Sequence, residues 1–137
     1  MSAFVDTSAA YALLVRTEDR HRDVVRAFRG LVEARRALWT TSYVIVETVA
    51  LLQHRIGLEA VRDFLDHFVP LFSVEWVSEA LHAGGVARLL REDRRRLSLV
   101  DCVSLECIHA RGIGEVLALD PHFEEAGCRV LPTSRTS

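Results

Sequence analysis

Short runs of β-forming residues alternate with helical segments along most of this 137-residue sequence. This alternation is typical of an α/β domain, in which helices connect the strands of a parallel sheet. The predicted strands are residues 3–6, 37–40, 72–77, 115–120 and 129–131. We therefore predict a three-layer α/β fold, with a central, mostly parallel sheet of about five short strands flanked by helices.

The segments between these strands place apolar residues at helical spacing. In one of them, Val24, Phe28 and Leu31 recur four and three positions apart. The predicted helices are residues 7–15, 24–32, 42–55, 58–69, 78–90 and 98–110. The chain has the usual length of one domain, so we predict a single domain over residues 1–132 and a flexible polar tail over residues 133–137.

Targeting signals and paired cysteines are absent from the sequence. No apolar run reaches the roughly 18 residues that a membrane-spanning helix needs, and the first six residues do not resemble a signal peptide. We therefore expect a cytoplasmic protein with no membrane partner. Cys102, Cys107 and Cys128 fit that compartment, because they lack C-x-x-C spacing and are predicted to be buried free thiols.

The charge of the chain limits how it could bind a nucleic acid. The net charge is −2, so affinity for a polyanion would have to come from a local patch. Four arginines before a predicted helix could contact the phosphates of a nucleic acid, namely Arg91, Arg94, Arg95 and Arg96. The alternative is that they form only a solvated charged surface. All 17 basic residues are arginine, which excludes P-loop and Schiff-base chemistry because both need a lysine.

Two aspartates end predicted strands. Asp6 closes the first strand, and Asp120 closes the fourth. Open parallel sheets bind ligands in the crevice at the carboxyl ends of the strands, where two such acids would face one another. Each aspartate also has a simpler interpretation. Asp6 can cap the following helix, and Asp120 can start a turn with Pro121.

Two further acids lie in predicted helices. All the neighbours of Glu47 three and four positions away are apolar, so its carboxylate lies on a stripe that should be packed. A buried carboxylate requires a partner, either an arginine or a metal; an exposed stripe is the alternative. Asp101 forms an S-x-x-D capping pattern with Ser98. This role is compatible with metal binding at the positive end of the helix.

The four carboxylates together predict a metal site. Mg²⁺ prefers oxygen ligands and retains several waters, so a few carboxylates suffice to hold it. Four acids in one cleft would raise each other's pKa unless a cation neutralised them. With one or two metals bound, such a site can activate water and stabilise the transition state of phosphoryl transfer.

At these positions the sequence resembles the PIN domain, and in particular the VapC toxins. The resemblance is collinear and spans nearly the whole chain. The matching segments are residues 5–8 (VDTS), Glu47 in an apolar helix, residues 97–101 (LSLVD), residues 119–123 (LDPHF) and residues 126–127 (AG). PIN-like proteins carry three or four such acids around Mg²⁺ or Mn²⁺, on a parallel sheet flanked by helices.

The resemblance implies roles for particular residues. The implied catalytic and metal-binding acids are Asp6, Glu47, Asp101 and Asp120. Asp6 and Asp101 are the expected direct ligands. The residues implied to orient waters or carboxylates are Thr7, Ser8 and Ser104. The fourth acid varies most within the family, so Glu124 or Glu125 could take the place of Asp120.

The resemblance also implies an activity and partners. It implies a Mg²⁺-dependent endoribonuclease toxin that hydrolyses tRNA or another structured RNA and is neutralised by a VapB-like antitoxin. VapC-like proteins generally form homodimers. The apolar stripes of residues 44–52 and 58–68 could supply the dimer face or the antitoxin groove, or they could all belong to the core.

The sequence argues against four other classes of protein. A haloacid-dehalogenase phosphatase needs a second aspartate where this chain has Ser8, and it needs a lysine as well. A receiver domain fails on the same missing lysine. A structure-specific DNA nuclease with a PIN domain is usually longer. A degenerate PIN domain that serves only as a binding scaffold would normally have lost acids, whereas all four positions are filled here.

Overall fold

The structure, a computed structural model, describes residues 1–133 and contains one five-stranded sheet within them, all parallel and in the order β3-β2-β1-β4-β5. The strands are β1 (Ser2–Val5), β2 (Ala37–Thr41), β3 (Ser73–Glu75), β4 (Glu115–Leu117) and β5 (Arg129–Leu131). The predicted α/β class and sheet are confirmed. Residues 134–137 of the predicted tail lie outside the described residues.

Seven α-helices connect or flank these strands over residues 1–133. They are α1 (Thr7–Leu14), α2 (His21–Glu33), α3 (Ser42–Arg55), α4 (Leu58–Asp63), α5 (Glu79–Glu92), α6 (Leu99–Arg111) and α7 (His122–Glu125). None of these described helices combines the length and the apolar character that crossing a membrane requires.

The central strand β1 separates the two layers of the core. Its side chains alternate between the faces of the sheet, as the pleat requires. Ala3 and Val5 pack with residues of α1 to α4 on one face. Phe4 packs on the other face with residues of α6 and α7. The three-layer arrangement follows from this alternation.

Helix α5 packs mainly against α6, and a glycine allows the close approach. A methyl group at Gly85 would lie 2.4 Å from Cγ2 of Val103 on α6. No side chain fits at that distance, so Gly85 sets how near α5 lies to α6. This contact supports α6, the helix that carries Asp101.

The predicted helix over residues 58–69 is wrong in its second half. Helix α4 ends at Asp63, and the chain continues as a π-helical turn (Phe64–Phe68) and a 3-10 turn (Val69–Leu71). Pro70 lies in the 3-10 turn and has no amide hydrogen to continue an α-helical ladder.

Two strands are shorter than predicted. The strand predicted over residues 72–77 is only β3, Ser73–Glu75. The strand predicted over residues 115–120 ends at Leu117, so Asp120 does not close it. The chain leaves the sheet because the amide of Leu119 donates to the side-chain oxygen of Ser8, 2.9 Å away, instead of to a strand.

The three cysteines have free thiols, as predicted. Cys102 and Cys107 are buried, whereas Cys128 is half-buried. Burial raises the pKa of all three thiols, which keeps them protonated and unreactive at neutral pH.

Candidate active site

An open cleft of about 370 Å³ lies at the carboxyl ends of β1 and β4. All four predicted acids line it together with two of the predicted polar residues: Asp6, Glu47, Asp101, Asp120, Thr7 and Ser8. Leu51, Arg96 and Ser98 complete the lining. Ser104, the third predicted polar residue, is buried and is not among the lining residues.

Asp6 is the most deeply buried of the four acids, with 3% of its surface exposed. It caps α1 as predicted, because its Oδ2 accepts hydrogen bonds from the amide and the hydroxyl of Ser8, at 3.2 and 2.7 Å. The other oxygen, Oδ1, is buried without a hydrogen-bond partner among residues 1–133. The pKa of Asp6 is raised to about 7, mainly by burial and in part by the negative charge of Asp101, against the opposing effect of the hydrogen bonds from Ser8.

Ser8 joins the two strands that flank the cleft. Its hydroxyl donates to Asp6 and accepts from the amide of Leu119, 2.9 Å away. The turn after β4 is thereby tied to the end of β1. The neighbouring Thr7 also faces this region, and its hydroxyl oxygen is buried without a partner in the described part of the chain. Ser8 therefore holds the Asp6 carboxylate in place, while its predicted role beside a metal stays a prediction.

Asp101 occupies the first turn of α6. Its Oδ2 accepts from the amide of Ser98 at 3.1 Å, and its own amide donates to the Ser98 hydroxyl at 3.1 Å. This is the predicted capping box, and it uses one carboxylate oxygen. Burial raises the pKa of Asp101, and the negative charge of Asp120 adds to the rise.

Asp120 lies in the turn between β4 and α7. Its Oδ1 accepts from the backbone amide of His122 at 3.0 Å, which is the turn that the Asp-Pro sequence predicted. Donor atoms of Asp101, Asp120 and His122 lie within 4.8 Å of one another. Sequence reasoning assigned no role to His122. The only sequence signal was its position inside the LDPHF segment.

Glu47 lies at the rim of the cleft on α3. It is half-buried, and the stripe around it is less packed than predicted, since Ala50 is exposed and Leu51 lines the cleft. Of the two partners considered, an arginine or a metal, the arginine is not present, because Glu47 has no ion pair with any of residues 1–133. Its carboxylate is thus available to a cation or a substrate in the cleft.

The glutamates considered as alternatives to Asp120 lie elsewhere. Neither Glu124 nor Glu125 lines the cleft. Glu125 forms an ion pair with Arg94, and the hydrogen bond from that guanidinium lowers the pKa of Glu125. The pairing also corrects the predicted arginine patch, because Arg94 is held by the protein, whereas Arg96 lines the cleft.

The donor set fits a divalent cation. Hard cations take carboxylate and hydroxyl oxygens, and the cleft has three aspartates and one glutamate with no lysine anywhere in the chain. The unpartnered, buried Oδ1 of Asp6 is the strongest sign, because an unpaired buried oxygen is costly unless a ligand completes it. The residues that could hold the cation are Asp6, Asp101 and Asp120, with Glu47 at the rim.

Known proteins are similar to this chain in sequence and in fold. The PIN domain family profile matches residues 3–127. The 23S rRNA-specific endonuclease VapC20 of Mycobacterium tuberculosis is 31% identical over 125 residues, covering 90% of this chain and 93% of that protein. The crystal structure of M. tuberculosis VapC20, a sarcin-ricin loop cleaving toxin, matches with a TM-score of 0.82 at 30% identity over 93% of this chain and 96% of that one.

A more distant structure extends the likeness to the fold alone. VapBC2 from Rickettsia felis bound to a DNA fragment matches with a TM-score of 0.70 at 12% identity, over 95% of this chain and 97% of that one. The predicted resemblance to PIN nucleases of the VapC type is therefore confirmed. With the family profile covering nearly the whole described domain, the chain belongs to the PIN-domain family.

Proposed function

We propose that this protein is a Mg²⁺-dependent endoribonuclease and acts in the cytoplasm as the toxin of a toxin–antitoxin pair. The observation that carries the proposal is the cleft that gathers Asp6, Asp101 and Asp120 around a buried, unpartnered Asp6 oxygen. Such a site fits a hard cation, because hard cations prefer carboxylate oxygens as ligands. The family match and the 31% identity to an endonuclease support the same activity.

The residues of the chain would divide the work of hydrolysis. A divalent cation held by Asp6, Asp101 and Asp120 supplies Lewis-acid stabilisation of phosphate charge and lowers the pKa of water. Ser8 fixes the Asp6 carboxylate, and the Ser98 cap fixes that of Asp101. Glu47 has no partner of its own among residues 1–133 and is placed at the rim to accept a proton from the attacking water.

Arg96 would hold the substrate. It is exposed, it lines the cleft, and it forms no ion pair with another described residue. Its guanidinium can pair with a phosphate of the RNA backbone beside the acids, which otherwise repel a polyanion. Attack in line on the neighbouring phosphodiester would leave a 5′-phosphate and a 3′-hydroxyl.

The relative favours ribosomal RNA as the substrate. VapC20 of M. tuberculosis is a 23S rRNA-specific endonuclease, and the likeness between the two proteins covers nearly all of both chains. We therefore rank a structured rRNA loop above tRNA, the substrate that the family resemblance had put first. Both are structured RNAs and would use the same cleft.

An antitoxin and a second copy of the chain are the proposed protein partners. Apolar side chains before, on and after α4 are exposed, with Ile56 at 52%, Leu58 at 54% and Leu65 at 41%. The predicted stripe over residues 58–68 is therefore only partly core. Exposed apolar surface of this kind favours a partner, here a VapB-like antitoxin or the homodimer.

The test is cleavage of a synthetic sarcin-ricin loop RNA and of total cellular RNA by the purified protein. Reactions contain Mg²⁺, Mn²⁺ or EDTA. We expect discrete cleavage with either metal and none with EDTA. Asp6→Asn should cleave roughly a thousand-fold more slowly, because it removes an ionisable ligand at the centre of the site.

The matched control is Asp66→Asn, which makes the same change on the exposed π-helical turn outside the cleft. It should cleave at the wild-type rate. Cleavage by Asp6→Asn at the rate of the control, or cleavage that EDTA does not stop, would contradict the proposal. Cleavage of tRNA alone would keep the nuclease and reassign its substrate. Metal binding without cleavage of any RNA would favour the scaffold alternative, and cleavage of DNA alone would favour the DNA nuclease.

A further inference from the structure

His122 contacts Asp120, the acid that lies in the turn between β4 and α7. It begins α7 and is 8% exposed. Its ring nitrogen Nε2 lies 3.3 Å from Oδ1 of Asp120, and its backbone amide donates to the same oxygen at 3.0 Å. The backbone amide and the ring of one residue thus both lie against one carboxylate oxygen. The other oxygen, Oδ2, accepts no hydrogen bond from residues 1–133.

The second ring nitrogen determines where the hydrogen of the imidazole lies. Nδ1 of His122 is 3.5 Å from a terminal nitrogen of Arg94. A guanidinium can only donate hydrogen bonds, so this contact favours an Nδ1 that accepts. Oε2 of Glu125 also faces Nδ1, but at 3.9 Å it lies beyond hydrogen-bond distance. In the neutral ring the contact with Arg94 therefore favours a hydrogen on Nε2, the nitrogen that faces Asp120. Arg94 is in turn held by its ion pair with Glu125.

This tautomer decides between two roles for His122. The donor atoms of Asp101, Asp120 and His122 are near enough to share one cation, so direct ligation by the imidazole is the rival role. A ring nitrogen that carries a hydrogen cannot ligate a metal, and Arg94 stabilises the hydrogen on Nε2. The contacts favour support of a ligand over ligation.

We propose that His122 is a positioning residue for the metal site. Arg94 fixes the ring so that Nε2–H holds Oδ1 of Asp120 and leaves Oδ2 for the cation. Carboxylates that bind metals are commonly held in this way by a hydrogen-bonding neighbour. The inference rests on the proposed metal dependence, but it concerns the affinity for metal and can be tested without RNA.

The first test measures Mg²⁺ and Mn²⁺ binding to the RNA-free protein by calorimetry. His122→Ala should weaken binding about 10- to 100-fold, as expected when the support of a ligand is lost. His122→Gln keeps an amide donor near the position of Nε2 and should recover most of the affinity. His67→Ala, which alters an exposed histidine paired with Asp63, should bind like the wild type.

The second test identifies the tautomer directly by NMR of ¹⁵N-labelled histidine at pH 8. We expect hydrogen on Nε2 in the metal-free protein and the same tautomer after Mg²⁺ is added. Hydrogen on Nδ1, or its loss from Nε2 when Mg²⁺ binds, would make His122 a ligand and overturn the inference. This measurement uses the unmodified protein, so it decides even where His122→Ala does not fold.

The two proposals fail in different ways. If the protein cleaves no RNA but binds Mg²⁺ with the expected dependence on His122, the positioning role stands and the proposed function falls. If the wild type cleaves RNA with Mg²⁺ while His122→Ala binds Mg²⁺ with wild-type affinity, the positioning role falls and the nuclease stands.

Discussion

The two edges of the parallel sheet each bury a carboxylate, and the protein treats the two in opposite ways. At the amino-terminal edge, Glu115 begins β4 and is 9% exposed. It accepts a hydrogen bond from Arg36 at 2.6 Å and lies 3.6 Å from Arg129. At the carboxyl-terminal edge, Asp6 follows the neighbouring strand β1, and no arginine in the described residues pairs with it.

The difference separates a structural acid from a functional one. A buried carboxylate paired with arginines is satisfied by the protein alone, and removal of either partner costs stability. A buried carboxylate without such a partner costs stability in the folded chain and is retained for what it can bind. The partners of the two acids, rather than their burial, distinguish their roles. Three experiments test this difference.

The largest expected effect is on the pH dependence of stability. The pKa of Asp6 is raised to about 7, against about 3.9 in an unfolded chain. Between these values the folded state holds a proton that the unfolded state has lost, so the free energy of unfolding falls as pH rises through this window. Without metal, Asp6→Asn should be more stable than the wild type at pH 8 by an amount on the order of a few kcal/mol, and nearly equal at pH 4.

Urea titrations from pH 4 to pH 8.5 in EDTA measure this difference. Part of the slope should persist in Asp6→Asn, because burial also raises the pKa of Asp101. Mg²⁺ should stabilise the wild type by mass action and leave Asp6→Asn nearly unchanged. A stability difference that does not vary with pH would show that Asp6 is not held in the environment described above.

The next effect concerns the opposite edge. Glu115→Gln should destabilise the fold by about 1–3 kcal/mol, because it leaves Arg36 without its counter-charge. The value lies below that of a fully buried pair, since the side chain of Arg36 is 26% exposed and solvent screens the charges. Urea denaturation measures the loss.

The control for that edge is Glu79→Gln, which removes an exposed charge from the first turn of α5. It should change stability by less than about 0.5 kcal/mol. RNA cleavage per folded molecule should be unchanged in Glu115→Gln, because Glu115 lies at the far edge from the cleft. A variant that stays as stable as the wild type but loses cleavage would reverse the assignment of the two edges.

The smallest effect concerns the substrate. Arg96→Ala should weaken RNA binding a few-fold and lower the slope of log affinity against log salt by about 0.7–0.9, the value for one phosphate contact. Binding is measured in EDTA so that the RNA stays intact. Arg91→Ala, which removes an exposed arginine outside the cleft lining, should leave the slope unchanged. Equal slopes for the wild type and both variants would remove Arg96 from the substrate site.

The sequence predicted much of this site because its signals are local. Asp6 is a helix cap next to a buried strand, and Asp101 shares a capping box with Ser98 three residues away. Patterns that span three or so residues can be recognised in the sequence without a structure. The prediction for Asp120 was right in the turn and wrong in the strand, because the Ser8 hydroxyl that draws the chain away is 111 residues distant.

The α/β class and the order of the strands along the chain were determined by the sequence alone, since periodicity and capping depend on neighbours within a few residues. The sequence also singled out the four acids that line the cleft, whereas their roles there stay a prediction. The tertiary structure alone decided which charges are paired. Arg94 pairs with Glu125 across 31 residues and Arg36 pairs with Glu115 across 79, which are separations that no local pattern spans. The same folding leaves Asp6 without an arginine partner in the described part of the chain and places His122 beside Asp120, because long-range packing, and not local pattern, sets which side chains meet.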